Sequence, residues 1–191
     1  MPYKAKWPDI PARHIEVWNQ LHGFEFDKPG AVDTFERKLK KCQRWSLRRT
    51  RRAIDEYWKF HFIRQVTGLE VAPSHAVDMV WHMHLQYTKS YWHALCRDIL
   101  GKDVHHTPSD GTKVDKQRCG NIYLETLTYY RRFFGEPPRD IWPVPGMSGW
   151  AMLGYCMQDG FYRVSETVVR RWNQLGDRVG EALRHAPYPY H

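Results

Sequence analysis

The sequence predicts an all-α protein, a single compact multi-helix domain with irregular, proline-rich connections, and three observations carry that reading. Apolar residues recur at intervals of three and four over most of the chain, serine and glycine stand where such stretches begin and end, and no segment alternates apolar and polar residues over the length of a strand. A chain of 191 residues is long enough to bury roughly 70% of its unfolded surface around one core. Nine Trp and eleven Tyr supply the apolar area for that core, while a mean hydropathy of −0.69 marks the remainder as strongly polar.

After Pro11, the spacing of Ile15, Trp18 and Leu21 predicts a first helix that ends at Gly23. Past Pro29-Gly30, a second helix carries Phe35, Leu39 and Cys42 on one face and lysines and arginines on the other. Ser46 caps a third, in which Ile54, Trp58, Phe62 and Val66 stack at intervals of four until Gly68 stops it. Ser74 caps the fourth and central helix, which continues through Val77, Val80, Trp81, Leu85, Tyr91 and Leu95 to Gly101.

A loop with Pro108, Asp110 and Gly111 leads to a helix from about Asp115 to Phe134, which carries Ile122, Leu124, Leu127 and Tyr130 and closes at Gly135. The segment from Ile141 to Gly146 holds too many prolines for a helix and is expected to lie extended across the others. Beyond it, a short helix from Trp150 to Tyr155 and a longer one capped by Ser165 and running to about His185 complete the expected set.

A net charge of +8 and a pI near 9.4 favour anionic partners. The excess is local: Arg37, Lys38, Lys40, Lys41, Arg44, Arg48, Arg49, Arg51 and Arg52 follow one another without an Asp or Glu between them. Such a stripe, with Trp45 for stacking, suits RNA, phospholipid headgroups or an acidic peptide. Solvated basic faces are common, so nucleic acid is not the favoured partner.

No apolar run reaches the roughly 20 residues of a membrane span, and the first eight residues lack the apolar core of a secretion signal, so the expected address is the cytoplasm, with no membrane partner. Cys42, Cys96, Cys119 and Cys156 contain no CxxC pair and fit reduced thiols. Phosphate-binding glycine loops and a GxSxG elbow do not occur, which removes the usual scaffolds for nucleotide-driven and serine-hydrolase chemistry.

Between Asp78 and Pro108 lie five of the chain's eleven histidines. At about 100° per residue, Asp78 and His82 share one helical face at i and i+4, whereas His84 points away with Tyr87, Thr88 and Tyr91. One ion cannot take both His82 and His84 from an unbroken helix. Asp78 can join an ion or hold the His82 ring in one tautomer. His105 and His106 follow Gly101 in a loop able to fold back, and Cys96 offers a soft sulfur. Two readings stay open here. Either His82 or His84 combines with His105 or His106 around a Cu, Fe or Zn ion, or the helical histidines are buried with partners, His105 and His106 cap the helix end and Cys96 is plain core.

The run Pro73-Ser74, Val77-Asp78, Trp81-His82-Met83-His84, Tyr87-Thr88, Tyr91-Trp92, Cys96, Gly101, His105-His106 and Pro108 resembles the bacterial relatives of the plant glycine-rich-domain proteins. The resemblance extends from Glu56-Tyr57 through Tyr123, Thr126-Leu127, Tyr130, Phe134-Gly135, Pro137-Pro138 and Ile141-Trp142-Pro143, over roughly residues 33 to 145. The chain is accordingly read as a single helical domain at 1–191, with the family-like core at 33–145 and, outside the resemblance, a C-terminal helical extension at 146–191. Glu56, Asp78, Trp81, His82, His84, Tyr91, Cys96, His105 and His106 fall on the motif, and His93 does not. The chain departs from the family at Ser109-Asp110-Gly111-Thr112 and Asp115, where a Thr-x-Gly-Gly stretch and a Glu are usual, and it carries no glycine-rich tract.

The expected function is a metal-dependent enzyme acting on a peptide or small molecule. Its ligands would come from His82, His84, His106, His105, Asp78 and Cys96, with Tyr91 and Glu56 as candidate catalytic groups and open positions for water, oxygen or substrate. Oxidation is favoured over hydrolysis, because several imidazoles with few carboxylates suit copper. The alternative is a non-catalytic module that uses the basic stripe at 37–52 to hold RNA or an acidic peptide.

Overall fold

The computed structural model describes residues 12–143; the expected helices at 150–155 and 165–185, and Cys156, lie outside the described residues. Hydroxyl caps start four helices. Thr34 accepts from the Arg37 amide (3.3 Å), Ser46 from Arg49 (3.2 Å), Ser74 from Val77 (3.3 Å) and Thr112 from Asp115 (3.2 Å), each satisfying a backbone N–H that the helix leaves without an internal acceptor. The elements are α1 (Ala12–His22), α2 (Phe35–Gln43), α3 (Leu47–Thr67), α4 (His75–Gln86), a π-helix (Lys89–Leu100) and α5 (Lys113–Phe134), with no strand among the described residues. The class is all-α, as the periodicity requires.

The helix at the centre is α3, not the histidine-bearing one, and it packs on α1, α2, α4 and α5. Its apolar stripe is accordingly wider than the Ile54–Trp58–Phe62–Val66 spacing implies. Ala53, Tyr57, Phe60 and Ile63 are fully buried beside Phe62, while Ile54 and Val66 sit at the margin. Glu56 and His61 are buried on the same helix. In α2, Phe35 and Leu39 are buried but Cys42 is exposed. The helix ends one residue later, at an Arg44 in the left-handed conformation (φ 52°), and Trp45 turns inward in its place.

The expected single helix from Ser74 to Gly101 is broken at Tyr87 (φ −90°, ψ 62°) and resumes with π winding. In a straight α-helix, residues 81 and 91 would stand about 15 Å apart along the axis. The break lets the Trp81 indole Nε1–H reach the Tyr91 hydroxyl at 2.8 Å. A second contact crosses the same break, between His84 Nε2 and Ser90 Oγ at 3.0 Å. Gly101 closes the π-helix in the left-handed region (φ 65°), where its missing Cβ avoids strain.

Where an extended arm is expected, Ile141 and Trp142 instead turn back, both amides donating to the Pro138 carbonyl (3.0 and 2.7 Å). The turn inserts Trp142, fully buried, beside Tyr123 and Tyr130 and brings its indole Nε1 to Glu56 Oε2 at 2.8 Å. The other Glu56 oxygen accepts from Lys59 at 2.8 Å. Trp142→Ala removes a large packed ring and strands one side of a buried carboxylate. A loss of about 3–5 kcal/mol is expected in urea unfolding.

Candidate metal centre

The i, i+4 spacing on α4 places Asp78 and His82 side by side, with Asp78 Oδ2 3.6 Å from His82 Nε2. The third partner arrives from the loop after the π-helix. The burial of its residues alternates: Val104 is buried, His105 exposed, His106 half-buried. The Tyr91 hydroxyl donates to the Val104 carbonyl while accepting from Trp81, the residue before His82. Two residues past that clamp, the His106 ring packs edge-on against Trp81 (centroids 4.8 Å) and meets α4. Its Nε2 lies 2.8 Å from Asp78 Oδ1 and 3.1 Å from His82 Nε2.

Asp78, His82 and His106 thus form a cluster whose donor atoms all lie within 4.8 Å of one another. It opens to the surface: the His82 side chain is 46% exposed, Asp78 23% and His106 16%. The hydrogen bond to Asp78 raises the His106 pKa above that of an ordinary imidazole, opposed by partial burial. A neutral His106 has at most one proton on Nε2, and both the carboxylate and the His82 nitrogen approach that atom.

Donors bound at about 2.0–2.2 Å to one ion stand about 2.8–3.6 Å apart in octahedral and tetrahedral arrangements. The separations from His106 to Asp78 Oδ1 (2.8 Å) and to His82 (3.1 Å), and that from His82 to the other carboxylate oxygen, Oδ2 (3.6 Å), fall in that range, so the two oxygens of Asp78 face one imidazole each. The site lies at the protein surface, and an ion held there would have its remaining positions towards solvent.

The other sequence-derived candidates stand apart from the cluster. His84 is fully buried, with Nδ1 2.9 Å from the Tyr57 hydroxyl and Nε2 3.0 Å from Ser90, and burial lowers its pKa to about 3. His105 is exposed and lies against Trp92 (centroids 5.4 Å). Cys96 is buried beside Tyr91 and the Val104 backbone, and burial raises its thiol pKa. Glu56 is occupied by Trp142 and Lys59. The Tyr91 hydroxyl is held by Trp81 and Val104, and burial raises its pKa well above that of a free phenol. Both side chains are thus engaged in tertiary contacts, Tyr91 next to the loop that carries His106 and Glu56 at Trp142. The sequence reading missed Val104, although an apolar residue anchoring a loop, with burial alternating at period two, puts residue 106 and not 105 on its own side.

The basic stripe is divided by the fold. Arg51 pairs with Glu36 (2.7 Å), Arg52 with Asp140 (2.8 Å) and Lys38 with Asp33 (3.9 Å), while Arg49 lies over the Trp45 ring (5.1 Å). Lys40, Lys41, Arg44 and Arg48 remain exposed.

Fold and site together define a small all-helical protein with an imidazole–carboxylate cluster at its surface. No helix among the described residues is long and apolar enough to cross a membrane. The chain matches the model of the UCP032817-like family over residues 18–124, more than half its length, and belongs to that family. The matched stretch contains Asp78, His82 and His106 and most of their supports. No curated protein and no solved structure matches the chain.

Proposed function

We propose that the protein is a metal-dependent enzyme in which Asp78, His82 and His106 hold one first-row transition ion. The observation that carries this reading is the convergence of two imidazole Nε2 atoms, 3.1 Å apart, on the two oxygens of one carboxylate, with donor atoms of all three residues within 4.8 Å of one another. An ion there supplies Lewis acidity or one-electron chemistry at its open positions. Two imidazoles and one carboxylate change the expected metal. With His84 and His105 outside the set, the imidazole-rich environment that favours copper is lost, and the donor set suits ferrous iron or zinc. The resemblance to the bacterial relatives of glycine-rich-domain proteins supports the reading, because all three donors fall on the shared motif.

Metal analysis tests it. After chelation and reloading with Fe(II), Zn(II) or Cu(II), the protein is expected to retain about one ion per chain, Cu(II) most tightly as for any imidazole–carboxylate site, so the resident metal is read from protein purified without added metal. Asp78→Asn, His82→Ala and His106→Ala should each weaken retention by more than the roughly 10–100-fold that loss of a supporting outer group causes. His84→Gln and His105→Ala should retain the ion. No stoichiometric ion, or loss equal in the His105 variant, overturns the assignment.

A further inference from the structure

A concavity lies between the end of α1, residues 24–27, the start of α2 and the middle of α3. Its volume is about 310 Å³, at the lower end of the range for small-molecule sites. None of Asp78, His82 and His106 lines it, so nothing about it depends on the metal assignment.

Phe24 and Phe26, both half-buried, form the accessible part of its apolar wall, with Phe35 and Trp58 buried behind them. They hold one another in place. Phe26 stacks on Phe35 with centroids 3.8 Å apart and planes within 4°, and Trp58 lies 4.9 Å from Phe24 and 5.1 Å from Phe26. His84 packs edge-on against Phe26 (4.8 Å) and Phe24 (5.4 Å), so the second histidine of the Trp-His-x-His run supports this wall while the first belongs to the surface cluster.

The polar rim is acidic. Asp27, Glu36 and Asp55 line the cavity against one arginine, Arg51, and one histidine, His22. Asp27 is spent on the Phe35 amide, which donates to both its oxygens (3.0 and 2.9 Å), and Glu36 on Arg51 (2.7 Å). Asp55 is 39% exposed, with Lys59 at 2.8 Å from one oxygen and His22 at 3.4 Å from the other. In a chain of net charge +8, three carboxylates against Arg51 and Lys59 leave this rim with a small negative excess.

We propose that this cavity binds a small organic cation, with an ammonium head against the aromatic wall and Asp55 as its counter-charge. The two features act together. Ring faces attract a weakly hydrated organic cation through their quadrupoles, and the carboxylate adds direct attraction. A bare metal ion gains nothing from the rings, a neutral apolar molecule gains nothing from Asp55, and an anion is repelled. The volume accommodates a head group and a short chain.

Choline and its uncharged carbon analogue, 3,3-dimethylbutan-1-ol, separate these possibilities when titrated into the full chain by NMR at matched ionic strength. Choline is expected to saturate, to shift the side-chain resonances of Phe24, Phe26 and Trp58, and to bind roughly ten-fold more tightly than the alcohol. Asp55→Asn, nearly isosteric, should reduce that preference to about three-fold or less. Competition between the two compounds on the unaltered protein gives the same answer without any variant. Equal affinity for both compounds, or no saturation by choline up to about 50 mM, overturns the proposal.

Discussion

Tyr91→Phe is expected to lower stability by about 2–4 kcal/mol, although it deletes a single oxygen atom. The hydroxyl is the middle of a buried three-part chain, accepting from Trp81 Nε1 at 2.8 Å and donating to the Val104 carbonyl. Phenylalanine fills the same space but leaves one buried donor and one buried acceptor without partners, each costing about 1–3 kcal/mol. The second consequence is positional. The loop behind Gly101 is fastened to α4 through this hydroxyl, and His106 follows two residues later. Metal retention should therefore fall by roughly 10–100-fold, the usual effect of losing an outer support. The checks are the urea midpoint at unchanged m-value, amide exchange at residues 103–107, and metal content. A shift below about 0.5 kcal/mol would show that the loop is held by other contacts.

The protein is expected to lose stability steeply in mild acid because of two buried imidazoles. Burial lowers the His84 pKa to about 3, and it lowers that of His61 well below an ordinary imidazole, with the neighbouring His84 adding to the effect. An unfolded histidine takes up its proton near pH 6.5, while folded His84 refuses it until about 3. Between those values the unfolded state binds more protons, so the stability present above pH 6.5 drains away as the pH falls. The slope is about 1.4 kcal/mol per pH unit for each histidine that stays neutral in the fold. His84→Gln, which can still bond Tyr57 and Ser90, should remove its share of the slope. His61 has no hydrogen-bond partner at either ring nitrogen, so His61→Leu should flatten the curve further and leave stability at pH 7 unchanged or higher. Urea unfolding between pH 4 and 7 measures both, and an unaltered slope in the double variant would refute the assignment.

Much of the fold is legible in the sequence because caps and stops act locally. Ser46, Gly68, Ser74 and Gly101 mark helix ends at the residues where the chain turns. The i, i+4 partnership of Asp78 and His82 follows from helical geometry alone, as does the divergence of His82 and His84. What sequence could not reveal is set by tertiary contact. The break at Tyr87 depends on two side-chain bonds that cross it, from Trp81 to Tyr91 and from His84 to Ser90. The choice of His106 over His105 depends on Val104 being buried. The turn at Ile141 depends on Glu56, 86 residues away from its Trp142 partner. The aromatic cavity draws on Phe24, Trp58 and Asp55, residues from separate elements whose pattern along the chain differs in no way from ordinary core.

Because α3 has a neighbour on every flank, it is the element that no partial opening can release without disturbing the rest. Its amides should be the last to exchange with solvent, and the molecule should melt as one cooperative unit around it. Outer pieces such as α2 can loosen alone, which leaves the aromatic cavity bordered on one side by something firm and on the other by something free to adjust.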